Sequence, residues 1–322
     1  MSELDLVVGT GPIGLLVARE LIARGRRVRA VNRSGRRPPT LPSEVEVVAG
    51  DVLDARVSAS FGAGAAVVYN CTNPPAYNRW GEFLLPMHEA IVAGAAAAGA
   101  KLVVMDNLYM YGPTNGAPIR EDTPFRTDEA KTRRLTRIAA HRFLMEAHEK
   151  GRVRLAIARA SDYFGPFASE RASFVATATF RAAAAGKAVS FPIAVDQPHT
   201  FAYLPDIARG LVTLGERDEA LGRVWHLPSP ETVTPREFLE LVFAAAGQRP
   251  RIRVIGPLGL RAIGLVIAEM RGYSEMFYEW REPYAVDASA FTTAFGGAPT
   301  PLRQAIAETM AWVRDNPRAG GR

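Results

Sequence analysis

Along the first 160 residues, short runs of β-branched and aliphatic side chains alternate with longer stretches whose apolar positions recur every three to four residues. That alternation predicts a parallel sheet covered by helices on both faces. The runs place strands at 4–8, 28–31, 45–48, 65–69, 101–105 and 153–158, and the helical patterns fall at 12–24, 80–98 and 128–150. Gly25, Gly99 and Gly151 stand where helices stop. Beyond Gly165-Pro166 the elements shorten and proline becomes more frequent: a helix at 172–185, strands near Val189 and at 200–204, a helix at 205–214 and a strand at 223–227. A helix at 235–246 follows, with Thr234 placed to cap it. The predicted class is α/β, a doubly wound sheet over 1–165 and a smaller C-terminal α/β lobe over 166–322, some segments of which return to the first lobe.

Composition narrows the function classes. With 322 residues and 48% apolar positions the chain can bury a sizeable core. One cysteine, Cys71, cannot form an internal disulfide, and an acidic start at Glu3 and Asp5 is not that of a signal peptide. A cytoplasmic location is expected, with no membrane partner, since apolar runs such as 91–100 fall short of the roughly 20 residues of a span. The net charge is +6, and four lysines among the 39 basic residues leave 35 arginines. Their clusters at 24–29, 33–37 and 133–137 are not interleaved with aromatics, so they read as solvated surface and no nucleic-acid partner is expected.

The first candidate chemistry is Gly9-Thr10-Gly11-Pro12-Ile13-Gly14, a G-x-G-x-x-G string between the first predicted strand and helix. Gly9 permits a tight turn, Gly11 lets backbone approach a pyrophosphate, and Gly14 lets helix and strand pack closely. Pro12 suits a first helical turn. A carboxylate at the end of the second strand would bond the adenosine ribose of NAD, but the chain reads Val31-Asn32-Arg33-Ser34-Gly35-Arg36-Arg37. A guanidinium and a hydroxyl there suit a 2′-phosphate, so NADP(H) is the expected cofactor and NAD(H) the alternative. Asp51 and Val52, after Gly50, would lie beside adenine, and Asp51 reads equally as a helix cap.

These residues resemble the extended short-chain dehydrogenase/reductase superfamily, in particular its atypical NAD-dependent epimerase/dehydratase-like members. The other motifs that carry the resemblance are 70–75 (Asn-Cys-Thr-Asn-Pro-Pro), 106–112 (Asp-Asn-Leu-Tyr-Met-Tyr-Gly), 159–166 (Arg-Ala-Ser-Asp-Tyr-Phe-Gly-Pro) and 203–206 (Tyr-Leu-Pro-Asp). The resemblance implies a Rossmann-type nucleotide-binding lobe, a substrate lobe, and often a homodimer formed through two long helices per subunit. It adds Cys71, Thr72, Asn73 and Ser161 to the expected cofactor contacts.

The chain departs from this family at its catalytic positions. Asn107 stands where the family's active-site Ser or Thr is expected. The Tyr-x-x-x-Lys pair is absent, and the best register puts Arg133 at the tyrosine and Arg137 at the lysine, with Lys131 as a competitor. A guanidinium stays protonated near neutrality and is a poor general acid or base, although Arg137 can still hold a ribose. The first choice for the missing proton donor is Tyr109, which reads equally as an inert wall, with substrate assistance as another route. Tyr77, Trp80, Tyr111, Asp162, Tyr163 and His199 are the expected substrate contacts. Their flat faces suit an aromatic or polycyclic small molecule as well as a sugar. Tyr77 and Trp80 read equally as packing residues, and His199 also reads as a hydrogen-bonded structural histidine. Glu269, Glu275 and Glu279 lie in a segment read as an amphipathic core helix, and no metal-ligand spacing is present.

Three functions are weighed. The leading one is an NADP(H)-dependent carbonyl reductase of a small molecule such as a secondary metabolite. The alternatives are an NAD-dependent nucleotide-sugar epimerase or dehydratase and a non-catalytic NADP(H)-binding regulator.

Overall fold

The computed structural model describes residues 3–54, 60–74, 79–127, 132–168, 173–192, 194–256 and 275–317. It divides into two compact units. The first comprises Met1–Met110, Thr127–Arg159 and Ile207–Leu227, and the second comprises Tyr111–Arg126, Ala160–Asp206 and Pro228–Arg322.

Unit 1 is built on strands β1 (Leu4–Val8), β2 (Arg27–Asn32), β3 (Glu46–Ala49), β4 (Ala65–Asn70), β5 (Lys101–Asp106) and β6 (Arg154–Arg159). A seventh, β10 (Val224–His226), joins them in one sheet ordered β10-β6-β5-β4-β1-β2-β3, in which every pairing is parallel. The central strands are buried on both faces, which is why they read as continuous apolar runs. Helices α1 (Pro12–Ala23), α2 (Trp80–Ala98) and α3 (Thr132–Glu149) connect strands of this sheet. Apolar residues of α2 and α3 form a core with the sheet that includes Leu6, Val68, Ile91, Leu102, Leu144 and Ile157. The predicted strand at 223–227 belongs to this sheet: Trp225 pairs with Ala158 and is itself buried.

The strand order reverses between β1 and β4, and in open parallel sheets such a reversal opens a crevice at the strand C-termini where ligands bind. β1 ends in the glycine turn, and β4 ends in Asn70, whose buried Oδ1 accepts from the Thr72 N–H (3.1 Å) and hydroxyl (2.6 Å). The Cys71 N–H donates to Val8 O (2.9 Å), holding the two loops side by side.

Unit 2 contains two short parallel pairs, β7 (Tyr163–Phe164) with β9 (Ala202–Tyr203), and β8 (Val189–Pro192) with β11 (Ile252–Ile255). Its helices are α4 (Thr177–Ala184), α6 (Pro235–Ala246), α7 (Ser289–Phe295) and α8 (Leu302–Asp315), while α5 (Leu204–Glu216) carries the chain from unit 2 into unit 1. An aromatic-rich core includes Phe164, Phe180, Phe201, Phe238 and Trp280. The predicted helix at 172–185 begins only at Thr177 among the described residues. Of the segment read as an amphipathic core helix, residues 275–280 form a 3₁₀ turn that buries Glu279, and Glu269 lies outside the described residues. Among the described residues no helix is long and apolar enough to cross a membrane.

Thr234 closes a capping box at the start of α6: its hydroxyl accepts from the Glu237 N–H (3.1 Å) and the Glu237 carboxylate accepts from the Thr234 N–H (2.8 Å). Thr234→Ala is expected to cost about 1 kcal/mol and to lower the melting temperature by about 2 °C. An unchanged thermal transition would contradict this.

Candidate functional site

The glycine turn shows why its residue types are required. Gly9 has φ 94°, and its N–H donates to Val31 O (2.9 Å), tying the turn to β2. A Cβ on Gly14 would lie 1.9 Å from Gly9 O, so only glycine lets α1 come this close to β1. Gly11, by contrast, has nothing within 4 Å of where a Cβ would be, which leaves its backbone face open. α1 starts there with Pro12 in the first turn, no side-chain cap and no acidic residue, so its first N–H groups meet neither a side-chain acceptor nor a negative charge. A cradle of this kind fits the pyrophosphate of a dinucleotide.

The loop after β2 is organised by Asn32. Its amide donates to the Thr10 hydroxyl (3.1 Å) and to Arg36 O (3.0 Å), and its Oδ1 accepts from the Ser34 N–H and hydroxyl (both 3.2 Å). Arg37 spends its guanidinium on the carbonyls of Pro42 and Val45, while Arg33 and Arg36 are exposed. Asp51 is exposed and its Oδ1 accepts from the Leu53 N–H (3.0 Å); Val52 beside it is half-buried. Burial pushes the Cys71 thiol up to about 12, which keeps it protonated and without nucleophilic character at neutral pH.

At the end of β5 lies a buried ionic cluster. The pairing of β5 with β6 sets Asp106 opposite Arg159. Arg137, on α3, donates from Nη1 to Asp106 Oδ1 (2.9 Å) and from Nη2 to Asn73 Oδ1 (2.9 Å). Arg159 donates from Nε to the second carboxylate oxygen (3.3 Å) and from Nη2 to His141 Nδ1 (3.1 Å). The Arg137 guanidinium also lies 4.2 Å over Trp80, which stacks on Tyr109 at 5.7 Å. Burial alone would raise the Asp106 carboxyl, but Arg137 and Arg159 together hold it below the usual range, so it is a carboxylate. Burial and then Arg137 push His88 down to about 4, and burial and then Arg159 do the same to His141. Both imidazoles are therefore neutral at pH 7.

Of the expected catalytic residues, Arg137 and Tyr109 are brought together here, with Trp80, an expected substrate contact, between them. Asn107 accepts from the Tyr109 N–H (3.3 Å) and shapes the turn between them, while Arg133 is buried on α3. Tyr77 and Lys131 lie outside the described residues. Sequence reasoning does not single out Arg159, His88 or His141, although an arginine closing a buried parallel strand is a signal that an acid lies opposite.

The remaining expected contacts lie in unit 2. Tyr111 is fully buried against Phe125, so its hydroxyl lines packing and not an open surface. The Ser161 hydroxyl is buried with no hydrogen-bond partner among the described residues. Asp162 Oδ2 lies 3.1 Å from His199 Nε2. Burial pushes the Tyr163 phenol up to about 12. Among the described residues no group of three or more His, Cys, Asp or Glu side chains is arranged to hold a metal.

The neutral histidines carry a signed pH dependence. A histidine whose folded value lies near 4, against 6.5 for the free side chain, binds fewer protons folded than unfolded between those limits. Stability is therefore expected to fall as pH drops from about 6.5 to about 4, with His88 contributing on the order of 3 kcal/mol. The paired Asp106 adds a further loss only at lower pH, as it is protonated. Urea unfolding across this range checks the slope, and His88→Leu should flatten it; a flat wild-type profile would refute the assignment.

Comparison with known proteins agrees with this fold. The chain is similar to the solved structures of gox2253 (20% identity, TM-score 0.80, covering 98% of this chain and 99% of that one) and of the Bordetella bronchiseptica enzyme WbmH in complex with NAD+ (19%, 0.71, 98% and 99%). It is also similar to UDP-N-acetylglucosamine 4-epimerase from Bacillus cereus (14% identity, TM-score 0.76, covering 97% of each chain). At these identities the likeness establishes the Rossmann-type fold. No curated protein matches the chain. The model of the NAD dependent epimerase/dehydratase family matches residues 6–227, a span that takes in the glycine turn, the Asp106 cluster and β10. The chain therefore belongs to the NAD-dependent epimerase/dehydratase family.

Proposed function

We propose that the protein is a dinucleotide-dependent enzyme of the epimerase/dehydratase class that acts on a nucleotide-linked sugar. The single observation that carries this reading is the glycine cradle, where Gly14 packs so closely on Gly9 that no other residue fits and Gly11 leaves an open backbone face. Family membership supports the reaction class, and the NAD+ complex of WbmH and the UDP-N-acetylglucosamine epimerase support a sugar nucleotide as substrate. A nicotinamide dinucleotide, when bound, supplies a hydride acceptor and donor.

In this reading Gly9, Thr10, Gly11, Pro12, Ile13 and Gly14 hold the pyrophosphate, Asp51 and Val52 border the adenine, and Cys71, Thr72 and Asn73 line the cofactor side of the crevice. Arg137 acts as a fixed strut: its two terminal nitrogens are committed to Asp106 and Asn73, and Trp80 covers its face. It orients Asn73 and gives up no proton. Proton transfer belongs to another group.

A second reading, an NADP(H)-dependent carbonyl reductase, is favoured by one feature. β2 ends in Asn32 without a carboxylate, and exposed Arg33 follows, so nothing there repels a 2′-phosphate and one guanidinium can pair with it.

The two readings differ in cofactor balance. An epimerase retains its dinucleotide and interconverts UDP-sugars with no net change at the reduced-nicotinamide absorbance band, whereas a reductase consumes that absorbance with aromatic ketones or quinones. Sugar interconversion without net oxidation is the expected result, and steady consumption with ketones alone would overturn it. Separately, Arg33→Ala is expected to weaken NADP(H) by about tenfold with little change for NAD(H); an unchanged ratio of the two affinities would remove the phosphate contact.

A further inference from the structure

The buried Arg137 guanidinium dictates which end of the Asn73 side chain faces outward. Arg137 Nη2 donates to Asn73 Oδ1 at 2.9 Å. A guanidinium has no acceptor, so only the amide oxygen can meet it, and the amide NH₂ is left on the far side. Asn73 is exposed, and that NH₂ has no hydrogen-bond partner among the described residues. Arg137 itself does not reach the crevice: its side chain is 3% exposed, Asp106 and Asn73 hold its two terminal nitrogens, and Trp80 covers its face at 4.2 Å. Whatever this charge does for a ligand, it does through Asn73.

The outward amide stands beside the glycine turn. The Cys71 N–H donates to Val8 O (2.9 Å), and a Cβ on Gly9 would lie 3.0 Å from Thr72 Cγ2 and 3.1 Å from Cys71 O. The loop after β4 therefore packs directly on the turn, and Asn73 is the next residue, its Cα about 3.8 Å beyond that of Thr72. All of these groups belong to unit 1. In a sheet of this order the adenosine half of a dinucleotide lies toward β2, so the phosphate on the nicotinamide side turns toward the β4 loop.

Charge points the same way. Asp106 carries one negative charge against the two guanidinium groups that pair with it, and His88 and His141 are neutral. The cluster has a surplus of positive charge, and the Asn73 amide, with its oxygen against Arg137, turns its positive end to the crevice. A guanidinium on the amide oxygen also polarises the NH₂ and strengthens it as a donor. An anionic oxygen is the acceptor that gains most from both effects.

We propose, on the dinucleotide-binding reading above, that the Asn73 NH₂ donates to the nicotinamide-side phosphate of the bound cofactor, and that Arg137 is the positioning residue that sets the amide for this contact. Backbone N–H groups at the start of α1 and one side-chain amide then share the pyrophosphate oxygens. Asn73 touches the ligand; Arg137 acts through it.

Calorimetric titration of the full chain with AMP, ADP and NAD+ tests this, because AMP lacks the second phosphate and ADP carries it without the second ribose. Asn73→Asp keeps an acceptor for Arg137 but puts a carboxylate oxygen where the NH₂ stood. Its melting temperature should match wild type and its AMP affinity should stay within about twofold, while ADP and NAD+ should each bind at least about fivefold more weakly. A smaller loss for ADP would overturn the phosphate contact, and so would an equal loss for AMP. Arg137→Lys separates positioning from support, since one ammonium cannot bond Asp106 and Asn73 in the fork of a guanidinium. It should weaken ADP binding when Asn73 is present and leave it unchanged in an Asn73→Ala background; the same result in both backgrounds would overturn the positioning role. Wild-type protein that binds none of the three nucleotides would instead overturn the dinucleotide reading itself.

Discussion

One buried carboxylate constrains the chemistry of unit 1. Asp106 ends β5 with little access to water, and it stays ionised because Arg137 and Arg159 take one oxygen each. Removing Asp106 would leave two buried guanidinium groups without their counter-charge, at a cost of about 3–5 kcal/mol. The arrangement therefore holds both guanidinium groups in place. It also keeps His88 and His141 neutral, since neither imidazole can gain a proton beside arginines without losing both hydration and electrostatic balance. Arg137 is thereby part of a buried ionic frame that ties α3 to the ends of β4 and β5.

That frame leaves the cradle intact. The glycine turn depends on the backbone approach of Gly14 to Gly9 and on the β1–β4 crevice, and both stand one or more strands away from Asp106. The glycine turn rests on backbone geometry, whereas the Asp106 cluster is made of side chains and reaches the loop after β4 through Asn73.

Much of this was legible in the residues. Continuous apolar runs bounded by glycine marked β1 and β5, and the bounds of α2 and α6 coincide with the periodic stretches at 80–98 and 235–246 because Gly99 and Gly247 end them in the left-handed conformation. The capping role of Thr234 was equally readable, because a capping box is local chemistry. Long-range pairing was not. Nothing local in 223–227 says that Val224–His226 joins β6, and nothing in a stretch rich in Glu, Met and aromatic residues distinguishes an amphipathic core helix from a 3₁₀ turn that buries Glu279. The periodicity of α8, with Leu302, Ala305, Ile306, Thr309, Met310 and Val313 buried, was present in the sequence but unread. The site divided the same way. The glycine turn announced itself, whereas the Asp106 cluster needed the register of β5 against β6 and the placement of α3.

The central claim is that the glycine turn at 9–14 forms a working dinucleotide cradle. Equilibrium titration of the purified protein with NAD(H) and NADP(H), followed by calorimetry, tests it most directly. The account predicts saturable binding of one dinucleotide per chain, retained in Arg133→Lys; the absence of saturable binding with either dinucleotide would contradict it.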